Sequence, residues 1–277
     1  MRYRLICSDI DGTLVNSEGQ VTKANQEAIL RLKEKGIMFA ICSGRMYYAA
    51  SMIGLYYGLP SHVICSNGAV IANLENDQIL HEVNLSSEKI HKICDVGDKY
   101  NCVIGLNTIR GVIFRGSDGI EDVLYKKANE MYGPATGRTM MIKQDSQYRK
   151  YIEQEKIAKI SLWASSDDDY EKVCQEINRI NGITSTTAMK WNLEITEEDV
   201  TKWHGIKWLM EKYGLQREEV VCIGDTMNDY EMVKNAGLGV AMANGDSRLK
   251  EAAAYITETN DNSGVAALIE MCLEGTI

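Results

Sequence analysis

The sequence has no apolar run close to the roughly 20 residues that a membrane-spanning helix needs. Its polar first residues reach Asp9 too soon to form a secretory signal. Its eight cysteines contain no Cys-x-x-Cys pair, and its four histidines lack the spacing of metal ligands. Cys7, Cys42, Cys65 and Cys222 lie in apolar segments, where cysteine behaves as a small hydrophobe. Neither a zinc site nor a disulfide framework is indicated, and we expect a soluble cytoplasmic protein with no membrane partner.

Positive charge is also in deficit. The chain has 30 Lys and Arg against 39 Asp and Glu, a net charge of −9, and an isoelectric point near 5.1. A nucleic-acid partner would require a basic surface, so that class is disfavoured, and an anionic substrate would need a local positive site. No repeat period is visible, and 277 residues suffice for two domains.

The most informative motif is Asp9-Ile10-Asp11-Gly12-Thr13, which follows the apolar segment at 5–7. Side chains alternate along an extended segment, so Asp9 and Asp11 should leave the backbone toward one pocket, and Gly12 permits a sharp turn. Two carboxylates this close favour a divalent cation and a lysine nearby. Asp-x-Asp-Gly is also a common turn, so this interpretation depends on matching parts elsewhere in the chain.

Three further places supply such parts. The apolar segment 37–42 runs into Ser43-Gly44-Arg45, whose amides could hold phosphate oxygens at the start of a helix. Lys202 precedes another helical pattern. The apolar segment 220–223 is followed by two carboxylates and an amide, Asp225, Asn228 and Asp229. Separately these are explained by an N-cap serine, a surface lysine and a Gly-Asp turn, but together they indicate a parallel sheet with ligands at its carboxyl edge.

The coarse pattern alternates strand and helix, which is typical of a doubly wound sheet. Strands are predicted at 3–7, 37–42 and 63–65, with helices at 22–35 and after Arg45. A segment of different character follows Val83. Its predicted helices are 87–99, 121–132 and 168–180, and its predicted strands are 103–106, 111–114, 157–163 and 183–188. The core is predicted to resume around Leu193-Glu194-Ile195, which gives a core of 1–83 and 190–277 and an inserted α+β cap of 84–189.

The four polar motifs resemble those of the haloacid dehalogenase superfamily, most closely its Cof-type sugar-phosphatase group with a type IIB cap. They are Asp9-x-Asp11-Gly12-Thr13, Ser43-Gly44-Arg45, Lys202 and Gly224-Asp225-x-x-Asn228-Asp229. The segments 66–69, 236–244 and 261–265 resemble that group as well, whereas Trp203 stands where the family usually has glycine. The resemblance implies an α/β fold with a doubly wound, Rossmann-like core. It also implies a Mg²⁺-dependent phosphatase that hydrolyses small phosphorylated metabolites, with sugar phosphates as the expected class.

The roles of the residues follow from the motif positions in that resemblance. Asp9 would attack phosphorus and carry an aspartyl-phosphate, and Asp11 would be the acid and base, protonated at the start because ionised Asp9 repels its charge. The expected phosphate-binding residues are Ser43, Gly44, Lys202 and Asn228. The expected Mg²⁺ ligands are Asp9, Asp11 through its backbone carbonyl, and Asp225, with Asp229 near or among them.

The inserted segment is expected to cover the site and contact the leaving group. Candidate contacts that the sequence does not rank are Arg110, Arg115, Arg138 and Tyr148. Two other functions stay open. A phosphosugar mutase would return phosphate to a sugar, and a non-catalytic protein would only bind a phosphorylated metabolite. The physiological substrate and the oligomeric state are not predicted.

Overall fold

Two β-sheets organise the chain in a computed structural model that describes residues 2–59, 62–116, 120–187 and 189–277, without the side chains of 120–122 and 124. The strands are β1 (Leu5–Ser8), β2 (Met38–Cys42), β3 (His62–Cys65), β4 (Val70–Asn73), β5 (Gln78–Glu82), β6 (Val103–Asn107), β7 (Gly111–Arg115), β8 (Met141–Gln144), β9 (Lys159–Trp163), β10 (Ile183–Thr186), β11 (Asn192–Glu197), β12 (Val220–Gly224), β13 (Leu238–Ala241) and β14 (Tyr255–Ile256).

The helices connect and cover these strands. They are α1 (Lys23–Glu34), α2 (Tyr47–Tyr56), α3 (Ser87–Lys99), α4 (Ile120–Thr136), α5 (Asp167–Ile177), α6 (Lys202–Tyr213), α7 (Tyr230–Asn235), α8 (Ser247–Ala252) and α9 (Gly264–Glu274). Among the described residues, no helix is long and apolar enough to cross a membrane.

The larger sheet has the strand order β14-β13-β12-β1-β2-β3-β4-β5. Strands from β14 to β3 run parallel, and β4 and β5 add an antiparallel edge. Alternate residues face opposite sides: Ile6 packs in one hydrophobic cluster, whereas Leu5 and Cys7 pack in another. Both faces are therefore buried, as parallel sheets require. The predicted doubly wound α/β core is confirmed.

The smaller sheet has the order β10-β11-β9-β6-β7-β8 and is antiparallel except for the pair β7 and β8. Helices α3 and α5 pack together, with α3 against β6 and β9, over a cluster that includes Ile93, Ile160 and Val173. Helix α4 packs on α2. Helix α4, which lies between β7 and β8 in the chain, thus connects the smaller sheet to a helix that packs beside the larger one.

One predicted strand assignment is wrong. The strand containing Leu193-Glu194-Ile195 does not return to the core but is β11, paired with β9 and β10 of the smaller sheet. An alternating apolar strand has the same pattern in either sheet, so periodicity could not assign it. The division into two domains stays a prediction, with the second sheet extending to Glu197. The predicted strand at 183–188 ends at Thr186, and Ala188 lies outside the described residues.

Strands β4, β5, β8, β13 and β14 were missing from the predicted pattern. The chain turns from β3 to β4 through 66–68, where Gly68 has φ +100°. A Cβ on Gly68 would lie 1.9 Å from the carbonyl oxygen of Thr201, the N-cap residue of α6. This close approach seats the start of α6, and therefore Lys202, against the sheet edge.

Gly68→Ala should destabilise the protein more than Gly36→Ala. Both glycines have positive φ, but a Cβ on Gly36 would meet nothing within 4 Å. We expect Gly36→Ala to cost about 1–2 kcal/mol from backbone strain alone, and Gly68→Ala to cost at least about 2 kcal/mol more because α6 must move. Urea unfolding measures both free energies. Equal losses would show that α6 is not seated by this contact.

Candidate active site

Two carboxylates follow the ends of neighbouring parallel strands. Asp9 comes directly after β1 and Asp225 directly after β12, and the two strands pair with Ser8 opposite Ile223. The Asp9 amide continues the ladder by donating to the Ile223 carbonyl at 3.0 Å. The carboxyl ends of parallel strands meet at one edge of a sheet, so the topology alone brings these side chains together.

The turn after Asp9 packs directly on Asp225. Gly12 has φ +76°, and a Cβ there would lie 2.2 Å from an Asp225 carboxylate oxygen. Thr13 Oγ1 donates to Asp225 Oδ1 at 3.1 Å. Only glycine satisfies both the backbone conformation and the contact, which explains why glycine follows Asp11 in the Asp-x-Asp-Gly-Thr motif.

Lys202, the first residue of α6, contacts the same carboxylates. Its Nζ donates to Asp9 Oδ1 at 2.6 Å, Asp229 Oδ1 at 2.6 Å and Asn228 Oδ1 at 3.4 Å. The side chain is 1% exposed. Burial alone would lower the pKa of Lys202, but Asp229 and Asp9 outweigh it and raise that pKa. The lysine is therefore a buried cation.

The cluster still carries excess negative charge. Carboxylate oxygens of Asp9, Asp225 and Asp229 lie within 4.8 Å of one another, and when all three are ionised Lys202 supplies one positive charge against their three. Burial raises the pKa of Asp9 well above its ordinary value, and the neighbouring carboxylates add to the rise, against Lys202. Burial and Asp229 raise the pKa of Asp225 to about 6. A divalent cation with oxygen ligands fits this donor set and would remove the imbalance.

Asp229 organises the loop that carries the cluster. It is fully buried, and its Oδ2 accepts the backbone N–H groups of Asp225 at 3.0 Å and Thr226 at 3.1 Å. With Lys202 on Oδ1, three donors occupy its oxygens, which leaves about one further lone-pair direction for another partner.

The predicted phosphate loop lies across the same cavity. Ser43 follows β2, is 1% exposed, and accepts the Arg45 N–H on its Oγ at 3.1 Å. Ser43, Gly44 and Asn228 line a cavity of about 260 Å³ with Asp9 and Asp11. Lys202 reaches this site through Asp9 and Asn228. The predicted site residues are thus gathered at one sheet edge.

The structure corrects the predicted state of Asp11. Its carboxylate receives two hydrogen bonds from the Arg45 guanidinium, Nε to Oδ2 at 2.8 Å and NH2 to Oδ1 at 2.5 Å. The Asp11 side chain is still 58% exposed; its partial desolvation raises the pKa, but the charge and hydrogen bonds of Arg45 outweigh this and lower it. In this arrangement Asp11 is an ionised carboxylate, not the protonated acid that repulsion from Asp9 alone predicts. The Asp11 carboxylate also lies outside the buried three-carboxylate cluster.

The side of the cavity contributed by the inserted segment holds residues that the sequence did not single out. They are Tyr125, Ala128, Met189 and Glu194. Arg115 and Tyr148 bond instead to Asp98, and Arg138 to Asp77. Arg110 lines a different groove. No sequence signal separates these groups, because surface and cavity residues of one α+β segment have the same types and spacing.

Comparison with known proteins agrees with this geometry. A sequence profile of the haloacid dehalogenase-like hydrolases matches residues 6–269, so the chain belongs to that family. It is 28% identical over 266 residues to the 5-amino-6-(5-phospho-D-ribitylamino)uracil phosphatase YcsE of Bacillus subtilis (strain 168), covering 96% of this chain and 94% of the relative. With relatives of this kind, the enzyme is a phosphatase of the family's Cof-type group, as the motifs predict.

Solved structures share the whole architecture. A haloacid dehalogenase-like hydrolase from Bacteroides thetaiotaomicron superposes with a TM-score of 0.82 at 29% identity, over 98% of this chain and 99% of that one. The subclass IIB sugar phosphatase BT4131 superposes with a TM-score of 0.79 at 20% identity, over 99% of this chain and 100% of that one. The second likeness concerns the fold alone.

Asp225→Asn should flatten the pH dependence of stability when divalent cations are chelated. Because the folded pKa of Asp225 is raised to about 6, its carboxyl favours folding most below its ordinary pKa, near 4, and that contribution is lost as the pH rises to about 6. As the pH rises between these two values, the free energy of unfolding of the asparagine variant should increase by on the order of 1–3 kcal/mol relative to that of the wild type. Urea unfolding at several pH values measures this.

The exposed Asp168 provides a matched control, because Asp168→Asn makes the same chemical change on the surface. It should leave the pH profile unchanged. An Asp225→Asn profile parallel to the wild type would contradict the charge imbalance of the cluster.

Proposed function

We propose that this protein is a Mg²⁺-dependent phosphatase that hydrolyses small phosphorylated metabolites through an aspartyl-phosphate on Asp9. The observation that carries the proposal is the buried Lys202, which fixes the Asp9 carboxylate at a sheet edge opposite the Ser43-Gly44 loop. A carboxylate held next to a phosphate-sized cavity can act as a nucleophile and divide one difficult displacement into two easier ones.

In the first step an Asp9 oxygen bonds to phosphorus and the ester P–O bond breaks, while Asp11 gives a proton to the departing oxygen. In the second step water bonds to phosphorus, Asp11 takes its proton, and the Asp9–phosphorus bond breaks. Asp11 must leave Arg45 before it can gain the proton that the first step needs. The incoming phosphate supplies Arg45 with another anionic partner, and separation from Arg45 removes the interaction that lowers the Asp11 pKa.

The phosphate oxygens would be held from several sides. The proposed donors are the Ser43 hydroxyl, the Gly44 N–H, the Lys202 ammonium and the Asn228 amide. Negative charge spreads over these oxygens in the transition state, and fixed donors in a water-poor site stabilise it strongly.

Mg²⁺ would be held by the Asp9 and Asp225 carboxylates and the Asp11 backbone carbonyl, with Asp229 as a ligand or immediately beside the ion. Support comes from the close approach of the three buried carboxylates and their uncompensated charge. The ion would offset the repulsion between the Asp9 carboxylate and an anionic phosphate.

We propose sugar phosphates and related polyol phosphates as the substrate class. The cavity of about 260 Å³ suits a small leaving group, and Tyr125 and Glu194 add polar groups to its wall. YcsE, named for a phosphorylated ribitylamino compound, gives the same indication. We also propose a cytoplasmic location, which the eight free cysteines support because a reducing compartment disfavours disulfides.

The direct experiment is phosphate release from a panel of sugar phosphates, 5-amino-6-(5-phospho-D-ribitylamino)uracil, nucleotides and pyridoxal phosphate, each with Mg²⁺ and with chelator. Release that requires Mg²⁺ supports the proposal and ranks the leaving groups. Phosphate transfer between sugar positions, activated by a sugar bisphosphate and without net release, would indicate a mutase. Binding without any turnover would contradict an enzymatic role.

Asp9→Asn should abolish turnover while the fold persists, because an amide is neither a nucleophile nor a good ligand for Mg²⁺. We expect kcat to fall by about 10³-fold or more. Steady-state kinetics on the best substrate of the panel measures this, with circular dichroism to verify the fold. Asp168→Asn on the surface should retain wild-type rates. Substantial residual activity of Asp9→Asn would exclude Asp9 as the nucleophile.

Lys202→Ala should weaken both catalysis and phosphate binding, because it removes the cation that holds Asp9 and would contact a phosphate oxygen. We expect kcat/KM to fall by about 10²-fold or more and the inhibition constant of inorganic phosphate to rise. Lys207→Ala changes an exposed lysine of the same helix and is the control. An unchanged rate for Lys202→Ala would mean that another cation serves the phosphate.

A further inference from the structure

The phosphate loop has its carbonyl groups held from behind. The Ser43 carbonyl accepts the Asn67 N–H at 3.1 Å, and the Gly44 carbonyl accepts Lys159 Nζ at 2.8 Å. The C=O and N–H of a trans peptide point in opposite directions. Holding the Ser43 carbonyl therefore fixes the direction of the Gly44 N–H, the group proposed to bind phosphate.

Lys159 comes from β9 of the smaller sheet, yet it bonds to a loop of the larger one. Its ammonium is also ion-paired with Glu194 of β11, and Glu194 Oε2 accepts Asn67 Nδ2 at 2.7 Å. The side chains of Lys159 and Glu194 are 1% and 7% exposed. Lys159, Glu194 and Asn67 therefore form a continuous buried bridge, whose two ends hold Gly44 and Ser43.

The bridge includes features that are costly to maintain. Ser66 and Asn67 have φ of +49° and +54°, a left-handed conformation that is unfavourable for a residue with a side chain. A buried ion pair also carries a desolvation penalty and is weak evidence for stability alone. Strain that the surroundings over-determine is concentrated at functional sites. The left-handed turn at 66–67 thus directs the Asn67 backbone toward Ser43 and its side chain toward Glu194.

Gly44 fits the same arrangement. A Cβ at this position would lie 2.9 Å from Glu194 Oε2 and 3.0 Å from Asn67 Oδ1. The bridge and the loop are packed so closely that only a residue without a side chain leaves both in place. Movement of Lys159 or Glu194 would therefore be transmitted to the loop backbone.

We propose that Lys159 and Glu194 are positioning residues for phosphate, and that seating the smaller sheet on the larger one completes the phosphate site. The proposal rests on the proposed function, since it concerns the orientation of the loop that would bind the substrate phosphate. Lys159 acts through the Gly44 carbonyl, and Glu194 acts through Lys159 and Asn67. Without the bridge, the Ser43–Gly44 and Gly44–Arg45 peptide groups lose the hydrogen bonds that fix their orientation.

The test is Lys159→Met, which retains length and removes the charge and the donors. Misplacement of the loop should lower kcat/KM by about 10- to 100-fold and raise the inhibition constant of inorganic phosphate by about 10-fold. Glu194→Gln should have a smaller effect because Lys159 still reaches Gly44. Lys156→Met changes a lysine three positions away whose side chain is 77% exposed, and it should match the wild type.

Urea unfolding separates positioning from stability. A variant that loses stability but keeps the wild-type kcat/KM and phosphate inhibition constant would overturn the proposal. If Lys159→Met does not fold, Lys159→Met/Glu194→Gln replaces the ion pair with an uncharged pair, a change that proteins often tolerate. Wild-type phosphate inhibition in that folded double variant would overturn the proposal equally.

Direct binding of inorganic phosphate with Mg²⁺, measured by calorimetry, distinguishes this failure from failure of the proposed function. If the wild type hydrolyses no ester but Lys159→Met weakens phosphate binding about 10-fold, the bridge is supported and the phosphatase proposal fails. If the wild type hydrolyses esters and both variants bind phosphate as the wild type does, the bridge alone fails.

Discussion

The buried ion pairs of Lys202 constrain the rest of the structure. Its ammonium joins Asp9, 193 positions away in the sequence, to Asp229 on the loop after β12. Few geometries allow a buried lysine to satisfy two carboxylates at once, and losing one partner would leave an uncompensated charge. The close contact of Gly68 with α6 and the turn at Gly12 against Asp225 both place groups where this cluster needs them.

The excess negative charge that remains connects stability with function. A cluster with three carboxylates and one ammonium is unfavourable alone, as the raised pKa values of Asp9 and Asp225 indicate. On the proposed function, the same imbalance would favour binding of a cation, and a bound cation would allow the cluster to accept an anionic phosphate. Binding of the proposed ion would then raise the free energy of unfolding, because the ion would bind only the folded cluster.

Sequence reasoning predicted the parts of the structure that depend on local pattern. The helix at 22–35 is α1, with Thr22 as its N-cap, and apolar runs ending in Asp9 and Asp225 gave the sheet edge. Local sequence patterns could not predict which distant strands pair. The alternation of apolar and polar residues around Glu194 does not indicate that β11 pairs with β9 rather than with a strand of the core. The bridge from Glu194 to the phosphate loop was therefore not predicted. The contact between Arg45 and Asp11 depends likewise on how two loops meet in space.

The most direct test of the account is whether phosphate becomes attached to Asp9. Asp11→Asn should slow hydrolysis of the intermediate, and p-nitrophenyl phosphate has a leaving group that needs no protonation, so the first step should still proceed. Acid quenching followed by peptide mass spectrometry should then find one phosphoryl group on the peptide containing Asp9, only when Mg²⁺ is present. A phosphoryl group on another residue, or turnover with no phosphoenzyme, would contradict the account.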